Sequence, residues 1–207
     1  MSEQGEIHVI DHFLREPHRA RQAALESQYI TPPVPETYPG RNSRAQYAPP
    51  GLDADIAFIT GHAVVPLGHP AAHTRFRICL ANEVGTGGVH IDNCHWTGVL
   101  YLTLDEHAQG GTDFFRHRPS NTLHAPVYPE HWASWGDLTI DRWWKEVVLP
   151  HTNDPTKWDL VRRVDMRFNR LVLFRPWLWH NASPGFGDRV TNGRLVYLLF
   201  YHQAPAP

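Results

Sequence analysis

Residues Gly87–Phe115 have the sequence GGVHIDNCHWTGVLYLTLDEHAQGGTDFF, which is rich in apolar and β-branched residues. In a β-strand the side chains at positions i and i+2 point to the same face, so His90 and Asp92 would converge on one point. A second imidazole, His180, lies near the end of the apolar run LVLFRPWLWHN at Leu171–Asn181. Two histidines and one carboxylate form a ligand set for non-haem Fe(II). The spacing and order therefore predict an iron site at His90, Asp92 and His180.

The composition sets limits on the kind of protein. The 207 residues suffice for one domain with its own core, and nothing indicates a second domain. A formal net charge of -2 offers no basic surface for nucleic acid, so we expect no nucleic-acid partner. The N-terminus has no signal-peptide pattern, and no run approaches the roughly 18 apolar residues of a membrane span. Two cysteines, Cys79 and Cys94, make a disulfide framework implausible. These features predict a cytoplasmic protein without membrane contact.

The N-terminal third combines short regular elements with a proline-rich segment. Alternating residues predict a strand at Ile7–Ile10, and a helix follows whose first turn contains Pro17 and which ends near Gln28. The density of proline at Thr31–Gly51 predicts a loop without regular structure. Apolar spacing after possible caps predicts a second helix at Leu52–Val65.

Three further segments have the pattern of β-strands. Thr74–Asn82 alternates between an apolar face and a face with two arginines and a cysteine. Phe168–Phe174 and Arg194–Tyr201 are unbroken apolar runs, and turn residues at Asn181–Gly193 join the regions around them. Short strands with helices at the N-terminus predict a mainly β jelly-roll fold.

The segment Arg118–Arg170 is a predicted helical insertion. One helix is expected at Thr139–Val148, and a second is expected to begin at the capping residue Asp154 and to end near Asp165. Five of the eight tryptophans lie in this insertion: Trp132, Trp135, Trp143, Trp144 and Trp158. Two interpretations stay open. Either the helices pack outside the barrel with the tryptophans in a core, or His131–Trp144 covers the site as a substrate lid.

The order of these features resembles the Fe(II)/2-oxoglutarate-dependent oxygenase superfamily, and it is most similar to the prolyl-hydroxylase-like branch. An H-x-D motif is followed by a strand, an acidic turn with Gly110-Gly111, a long gap, a distal histidine and Arg194. The resemblance covers Val84–Asp113 and Asn169–Gln203, roughly a third of the chain. H-x-D alone is a weak pattern, and the conjunction is what makes the resemblance specific. It implies a single oxygenase domain over 1–207, with a double-stranded β-helix core and the insertion between the metal-binding strands.

The resemblance also implies cofactors and roles for particular residues. His90, Asp92 and His180 would hold Fe(II), and 2-oxoglutarate would chelate the iron while its far carboxylate pairs with Arg194. Tyr101 matches a strand position whose tyrosine hydrogen-bonds the same carboxylate. With O2, such an enzyme hydroxylates a C–H bond and releases succinate and CO2. The expected substrate is an amino acid, a peptidyl side chain or a small polar metabolite.

Two positions bear on the type of reaction. Many relatives have Arg-x-Ser, whereas this chain has Val196 two residues after Arg194, so any support for the arginine must come from Tyr101 or another polar group. Relatives that halogenate replace the motif carboxylate by Gly or Ala. The presence of Asp92 therefore favours hydroxylation or a related oxidation.

Other residues could in principle supply a metal ligand, and other functions could use the same residues. His95 extends the motif to H-x-D-x-x-H, but a strand would place it on the opposite face from His90 and Asp92. Cys94 and Cys79 lack a C-x-x-C spacing, which disfavours zinc binding through sulfur. The alternative function is a cupin-like barrel that holds zinc or another metal without 2-oxoglutarate chemistry. A degenerate oxygenase fold used for protein binding is disfavoured because all three ligands are present.

Overall fold

A computed structural model describes residues 6–31, 37–68 and 72–204. The described residues form ten strands: β1 Ile7–Ile10, β2 Arg41–Asn42, β3 Val64–Pro66, β4 Arg75–Cys79, β5 Trp96–Tyr101, β6 Gly111–His117, β7 Trp158–Asp165, β8 Leu171–Phe174, β9 His180–Ala182 and β10 Arg194–Gln203. The α-helical segments are α1 Pro17–Glu26, α2 Leu52–Thr60, α3 Ile140–Trp143 and α4 Leu149–His151. A π-helical turn, Trp144–Val148, joins α3 to α4, and 3-10 turns lie at Pro129–Trp135 and Pro155–Lys157.

The strands form two antiparallel sheets. The larger sheet has the order β1-β8-β5-β10-β4-β2, with β3 also paired to β10, and the smaller sheet has the order β7-β6-β9. One apolar cluster contains Val99 and Val196 of the larger sheet together with Phe114 and Val164 of the smaller sheet. This apolar cluster is the core between the two sheets. The described chain is mainly β with few helices.

The central strand β10 is apolar from Leu195 to Tyr201, because both of its faces are buried there. Leu195 and Tyr197 pack in the cluster that α1 and α2 cover, whereas Val196 and Leu198 pack between the sheets. Alternate side chains of a strand point to opposite faces, so a continuous apolar run is what such a strand requires. The predicted strands at Ile7–Ile10, Thr74–Asn82, Phe168–Phe174 and Arg194–Tyr201 are confirmed in their main parts.

The two N-terminal helices are also confirmed, with corrected ends. The second ends at Thr60, because Gly61 adopts a left-handed conformation with φ 69°, and the chain then enters β3. The predicted absence of regular structure in Thr31–Gly51 is wrong at Arg41–Asn42, which pairs with β4. Residues 32–36 of this loop lie outside the described residues.

The predicted helix from Asp154 to Asp165 is wrong. Asp154 does accept a hydrogen bond from the backbone of Thr156, but it caps only the short turn Pro155–Lys157. The following residues form β7, which pairs along the whole length of β6. Pairing with a neighbouring strand outweighs a local capping signal here, because sheet formation depends on partners remote in sequence. No helix among the described residues is long and apolar enough to cross a membrane.

Candidate metal centre

The H-x-D motif is held by backbone contacts outside any regular strand. His90 and His180 form a two-residue antiparallel bridge, in which each backbone N–H donates to the other residue's carbonyl, at 2.9 and 3.1 Å. The backbone N–H of Asp92 donates to the carbonyl of Pro176 at 3.2 Å. The prediction that His90 and Asp92 lie in a strand is therefore wrong. Their convergence comes from this tertiary bridge, which brings the distal histidine to the motif directly.

The three side chains meet at one point. Asp92 Oδ1 lies 3.8 Å from His90 Nε2, and Asp92 Oδ2 lies 3.4 Å from His180 Nε2. The potential ligand atoms all lie within 4.8 Å of one another. Bonds from a metal to imidazole nitrogen and carboxylate oxygen are about 2.0–2.2 Å long, so one ion can contact all three groups after small shifts. His90, Asp92 and His180 are the one such cluster of His, Cys, Asp or Glu among the described residues.

The second nitrogen of each imidazole fixes its orientation. His90 Nδ1 lies 2.9 Å from the carbonyl oxygen of Gly88, and His180 Nδ1 lies 2.8 Å from that of Leu178. A carbonyl oxygen can only accept a hydrogen bond, so each Nδ1 carries a proton. Each Nε2 then presents its lone pair to the shared point, as metal-ligating histidines do when a backbone carbonyl holds the other nitrogen.

Electrostatics favour the metal-binding protonation states. Burial, followed by the nearby imidazole of His180, lowers the pKa of His90 to about 4. Burial raises the pKa of Asp92, but the neighbouring imidazoles of His180 and His90 and the hydrogen bonds to the carboxylate together outweigh it, and the pKa falls to about 2. The hydroxyl of Thr97 adds to this effect, since it donates to Asp92 Oδ2 at 2.7 Å. At neutral pH, His90 is therefore neutral and Asp92 ionised.

A cavity of about 100 Å³ joins the three ligands to Arg194. Its wall follows β10, because Val196, Leu198 and Phe200 line it together with Arg194. Other apolar lining residues are Val99 and Phe174. Phe200 pairs with Thr97, whose hydroxyl holds Asp92. A ligand in this cavity can thus reach from the metal centre along an apolar strand face towards a guanidinium group.

Arg194 is a buried cation with incomplete hydrogen bonding. Its exposed fraction is 5%, and its Nη2 makes only a 3.4 Å contact with the carbonyl of Gly111. Its Nε is buried and has no partner within the described part of the chain. Burial lowers the pKa of Arg194 below its ordinary value, and nearby Tyr101 and Cys79 counteract this. A buried charge that lacks partners is costly, so a carboxylate bound here would satisfy it.

Tyr101 does not line this cavity. Its side chain is fully buried, and its hydroxyl lies 2.7 Å from Thr112 Oγ1 and 3.3 Å from the carbonyl of Val164. Burial raises the pKa of Tyr101 to about 12. Thr112 is the neighbour that does line the cavity. The structure thus brings His90, Asp92, His180 and Arg194 together, and it places the Tyr101 hydroxyl behind Thr112.

Tyr38 and Arg77 line the cavity next to the metal cluster, and neither was predicted from the sequence as a site residue. The ring of Tyr38 lies 4.4 Å from the ring of His90, measured between centroids. Arg77 donates from Nε and Nη2 to the carbonyls of Pro39 and Tyr38, at 3.1 and 3.0 Å. The alternating pattern of β4 could have indicated Arg77, because the strand face that carries Arg77 and Cys79 lines the cavity. No sequence pattern could have indicated Tyr38, because it lies in the proline-rich loop.

The other candidate metal ligands, His95 and Cys94, lie outside the cluster of His90, Asp92 and His180. His95 Nδ1 lies 3.1 Å from His202 Nδ1 in an exposed pair apart from the metal cluster. Cys94 does not belong to the cluster either: its Sγ donates to the carbonyl of Trp96 at 3.4 Å, and burial raises the pKa of its thiol to about 12. None of the described residues of the insertion lines the cavity. Trp143 is 3% exposed and belongs to an aromatic core cluster, whereas Trp144 is 45% exposed.

Comparisons with known proteins agree with this architecture. A model of a family described as "Family of unknown function (DUF6445)" matches residues 73–201. No curated protein matches the chain in sequence. The chain is similar in structure to HygX from Streptomyces hygroscopicus with nickel, 2-oxoglutarate and hygromycin B bound, with a TM-score of 0.51 and 14% identity. The match covers 98% of this chain and 85% of HygX.

A second solved structure is more distant. It is the Fe(II)/(alpha)ketoglutarate-dependent dioxygenase TqaL, with a TM-score of 0.44 and 14% identity over 98% of this chain and 84% of TqaL. At these identities, the likeness to HygX shows a shared fold.

Proposed function

The chain belongs to the DUF6445 family of unknown function, and we propose that it is an Fe(II)- and 2-oxoglutarate-dependent dioxygenase that hydroxylates a C–H bond. One observation carries this proposal. A two-histidine, one-carboxylate cluster shares a cavity with a buried arginine whose Nε has no partner in the described residues. Such a cluster leaves one face of an octahedral ion free. A 2-oxo acid with a second carboxylate fits both ends of the cavity.

The side chains of the cavity have the chemistry that Fe(II) and 2-oxoglutarate require. His90 and His180 would bind Fe(II) through Nε2, and Asp92 would bind it through a carboxylate oxygen. Arg194 would hold the far carboxylate of 2-oxoglutarate with two parallel hydrogen bonds, which a planar guanidinium provides. When bound, Fe(II) with 2-oxoglutarate and O2 supplies an oxidant for C–H hydroxylation, and succinate and CO2 are released.

The protein residues orient these groups and limit water. The carbonyls of Gly88 and Leu178 keep each Nε2 free of a proton, and Thr97 holds the Asp92 carboxylate in place. The apolar side chains along β10 keep the middle of the cavity dry, which strengthens the ionic contact at Arg194. In this proposal the Thr112 hydroxyl, supported by Tyr101, lines the cavity and can bond to the co-substrate.

The fold supports the same assignment. Two antiparallel sheets with a ligand cavity between them are consistent with a double-stranded β-helix, and we propose this core for a single domain over 1–207. The prolyl-hydroxylase-like branch is proposed from the sequence resemblance alone. The cytoplasmic location, the lack of a nucleic-acid partner and the lid role of the insertion stay predictions.

The proposed substrate is an amino acid, a peptidyl side chain or a small polar metabolite. Arg77, Tyr38 and Asn181 line the cavity and offer polar contacts beside the metal cluster. Of its lining residues, Arg77, Arg194 and Asp92 carry formal charges. After Fe(II) and a 2-oxoglutarate dianion are added, the sum is +1, which favours a substrate with an anionic group. HygX is recorded with the small molecule hygromycin B bound.

The direct test is a substrate screen that measures succinate formed from 2-oxoglutarate with Fe(II) and O2. Acidic amino acids, their amides and peptides form matched sets for the screen. We expect succinate formation to rise with one class and to require both Fe(II) and the 2-oxo acid. Oxidation of a substrate at full rate without any 2-oxo acid would refute the proposal, and it would favour the cupin-like alternative.

A further inference from the structure

The segment before the metal ligand His90 is clamped by Thr152, the residue of the insertion that follows α4. The hydroxyl of Thr152 donates to the carbonyl of Val89 at 2.9 Å and accepts from the N–H of Gly88 at 3.2 Å. The carbonyl of Thr152 accepts from the N–H of Val89 at 2.9 Å. One residue of the insertion therefore makes three hydrogen bonds to two successive residues of the motif loop.

The peptide group between Gly88 and Val89 orients His90, and it is also the group that Thr152 holds. The carbonyl of Gly88 lies 2.9 Å from His90 Nδ1, and this carbonyl belongs to the same peptide unit as the N–H of Val89. The hydroxyl of Thr152 holds the peptide groups on both sides of that unit. Rotation of the carbonyl away from the imidazole would break these contacts.

Close packing at this point requires a glycine. A Cβ atom on Gly88 would lie 2.2 Å from the carbonyl oxygen of Thr152, which is far inside van der Waals contact. The neighbouring Asn153 adds a bond from Nδ2 to the carbonyl of Thr86 at 2.7 Å. On the other side, the N–H of Gly87 donates to the carbonyl of Thr37 at 2.7 Å. The loop is thus fixed from two sides.

We propose that Thr152 is a positioning residue for His90, an inference that rests on the proposed metal site. Its hydroxyl holds the peptide groups on both sides of the Gly88–Val89 peptide unit and so keeps the Gly88 carbonyl aimed at Nδ1 of His90, which sets the tautomer and the ring orientation. Groups that orient a metal-ligating histidine in this way affect metal affinity by about 10–100-fold when they are removed. The insertion therefore contributes to metal binding through the backbone without lining the cavity.

The test compares Co(II) affinity in Thr152→Val, Thr152→Ser and the wild type, by titration of metal-free protein. Thr152→Val removes the two hydroxyl contacts and keeps the backbone bond. We expect about 10-fold weaker Co(II) binding in this variant and restored binding in Thr152→Ser. Thr156→Val is the matched control, because among the described residues its hydroxyl bonds to Asp154 of the same insertion and not to the motif loop. Thr152→Ala removes the same hydroxyl and replaces Thr152→Val if the latter does not fold.

The melting temperature of the metal-free proteins is the second measurement. A Thr152→Val protein that is less stable but binds Co(II) as tightly as the wild type would overturn the inference, since the contact would then be structural only. Equal affinity without a stability change would overturn it as well. A wild-type protein that does not bind Co(II) would instead refute the proposed metal site itself.

Discussion

Replacement of Arg194 by methionine tests the co-substrate end of the cavity. Methionine keeps much of the length of the side chain and removes its charge. In the variant, the far carboxylate of 2-oxoglutarate would be buried without a partner. Truncation of one member of a buried, hydrogen-bonded charge pair costs about 2–5 kcal/mol. The dissociation constant for 2-oxoglutarate should therefore rise by about 30-fold to about 5,000-fold.

The stability of the free protein should respond differently. Arg194 is 5% exposed, its Nε is unpartnered among the described residues, and burial lowers its pKa. The charged form is therefore less favourable in the folded protein than in the unfolded chain. Removal of this charge should leave the melting temperature of the ligand-free protein unchanged or raise it.

Calorimetric titration of 2-oxoglutarate into Ni(II)-loaded protein measures the affinity. The control is Arg118→Gln, which removes an exposed arginine paired with Asp159 and should not alter 2-oxoglutarate binding. An Arg194→Met protein that binds 2-oxoglutarate within about threefold of the wild type, a difference of about 0.65 kcal/mol, would refute the assigned role.

Three further predictions concern the aromatic insertion, a buried histidine and the substrate. Trp143→Ala should lower the free energy of unfolding by about 3–5 kcal/mol. Trp144→Ala should change the free energy of unfolding little. If Trp144 belongs to a substrate lid, Trp144→Ala should raise the KM for substrate and leave the KM for 2-oxoglutarate unchanged. Burial, then His151, lowers the pKa of His117 to about 4 from 6.5, so the wild type should lose up to about 3 kcal/mol of stability between pH 6.5 and 4. Unfolding titrations of His117→Gln should lack this part of the loss. Arg77→Gln should raise KM for an anionic substrate more than for its neutral amide, and equal effects would exclude a charge contact.

The sequence could indicate the cluster of His90, Asp92 and His180, because the types and the order of these residues do not depend on the predicted local structure. His90 and Asp92 were expected on a strand, but they lie outside any regular strand, in a segment held by the bridge to His180. The bridge, and not the i, i+2 spacing of a strand, brings the three side chains to one point. The bridge itself joins segments about ninety residues apart, and a local pattern cannot show such a pairing.

The rest of the site depends on contacts between distant segments. The sequence match placed Tyr101 near the co-substrate, yet the packing of β5 against β6 puts Thr112 in front of its hydroxyl. Tyr38 reaches His90 from a loop without periodicity. Asp154 gave a real capping signal, but it could not indicate that the chain would pair with β6 after one turn.

Anaerobic Fe(II) binding by the wild type and by His180→Ala tests the central claim most directly. The matched control is His202→Ala, which removes a histidine of the exposed pair with His95. We predict that the wild type and the control each bind one Fe(II) per chain, and that His180→Ala loses this binding while it stays folded. An unchanged stoichiometry and affinity in His180→Ala would contradict the proposed metal centre.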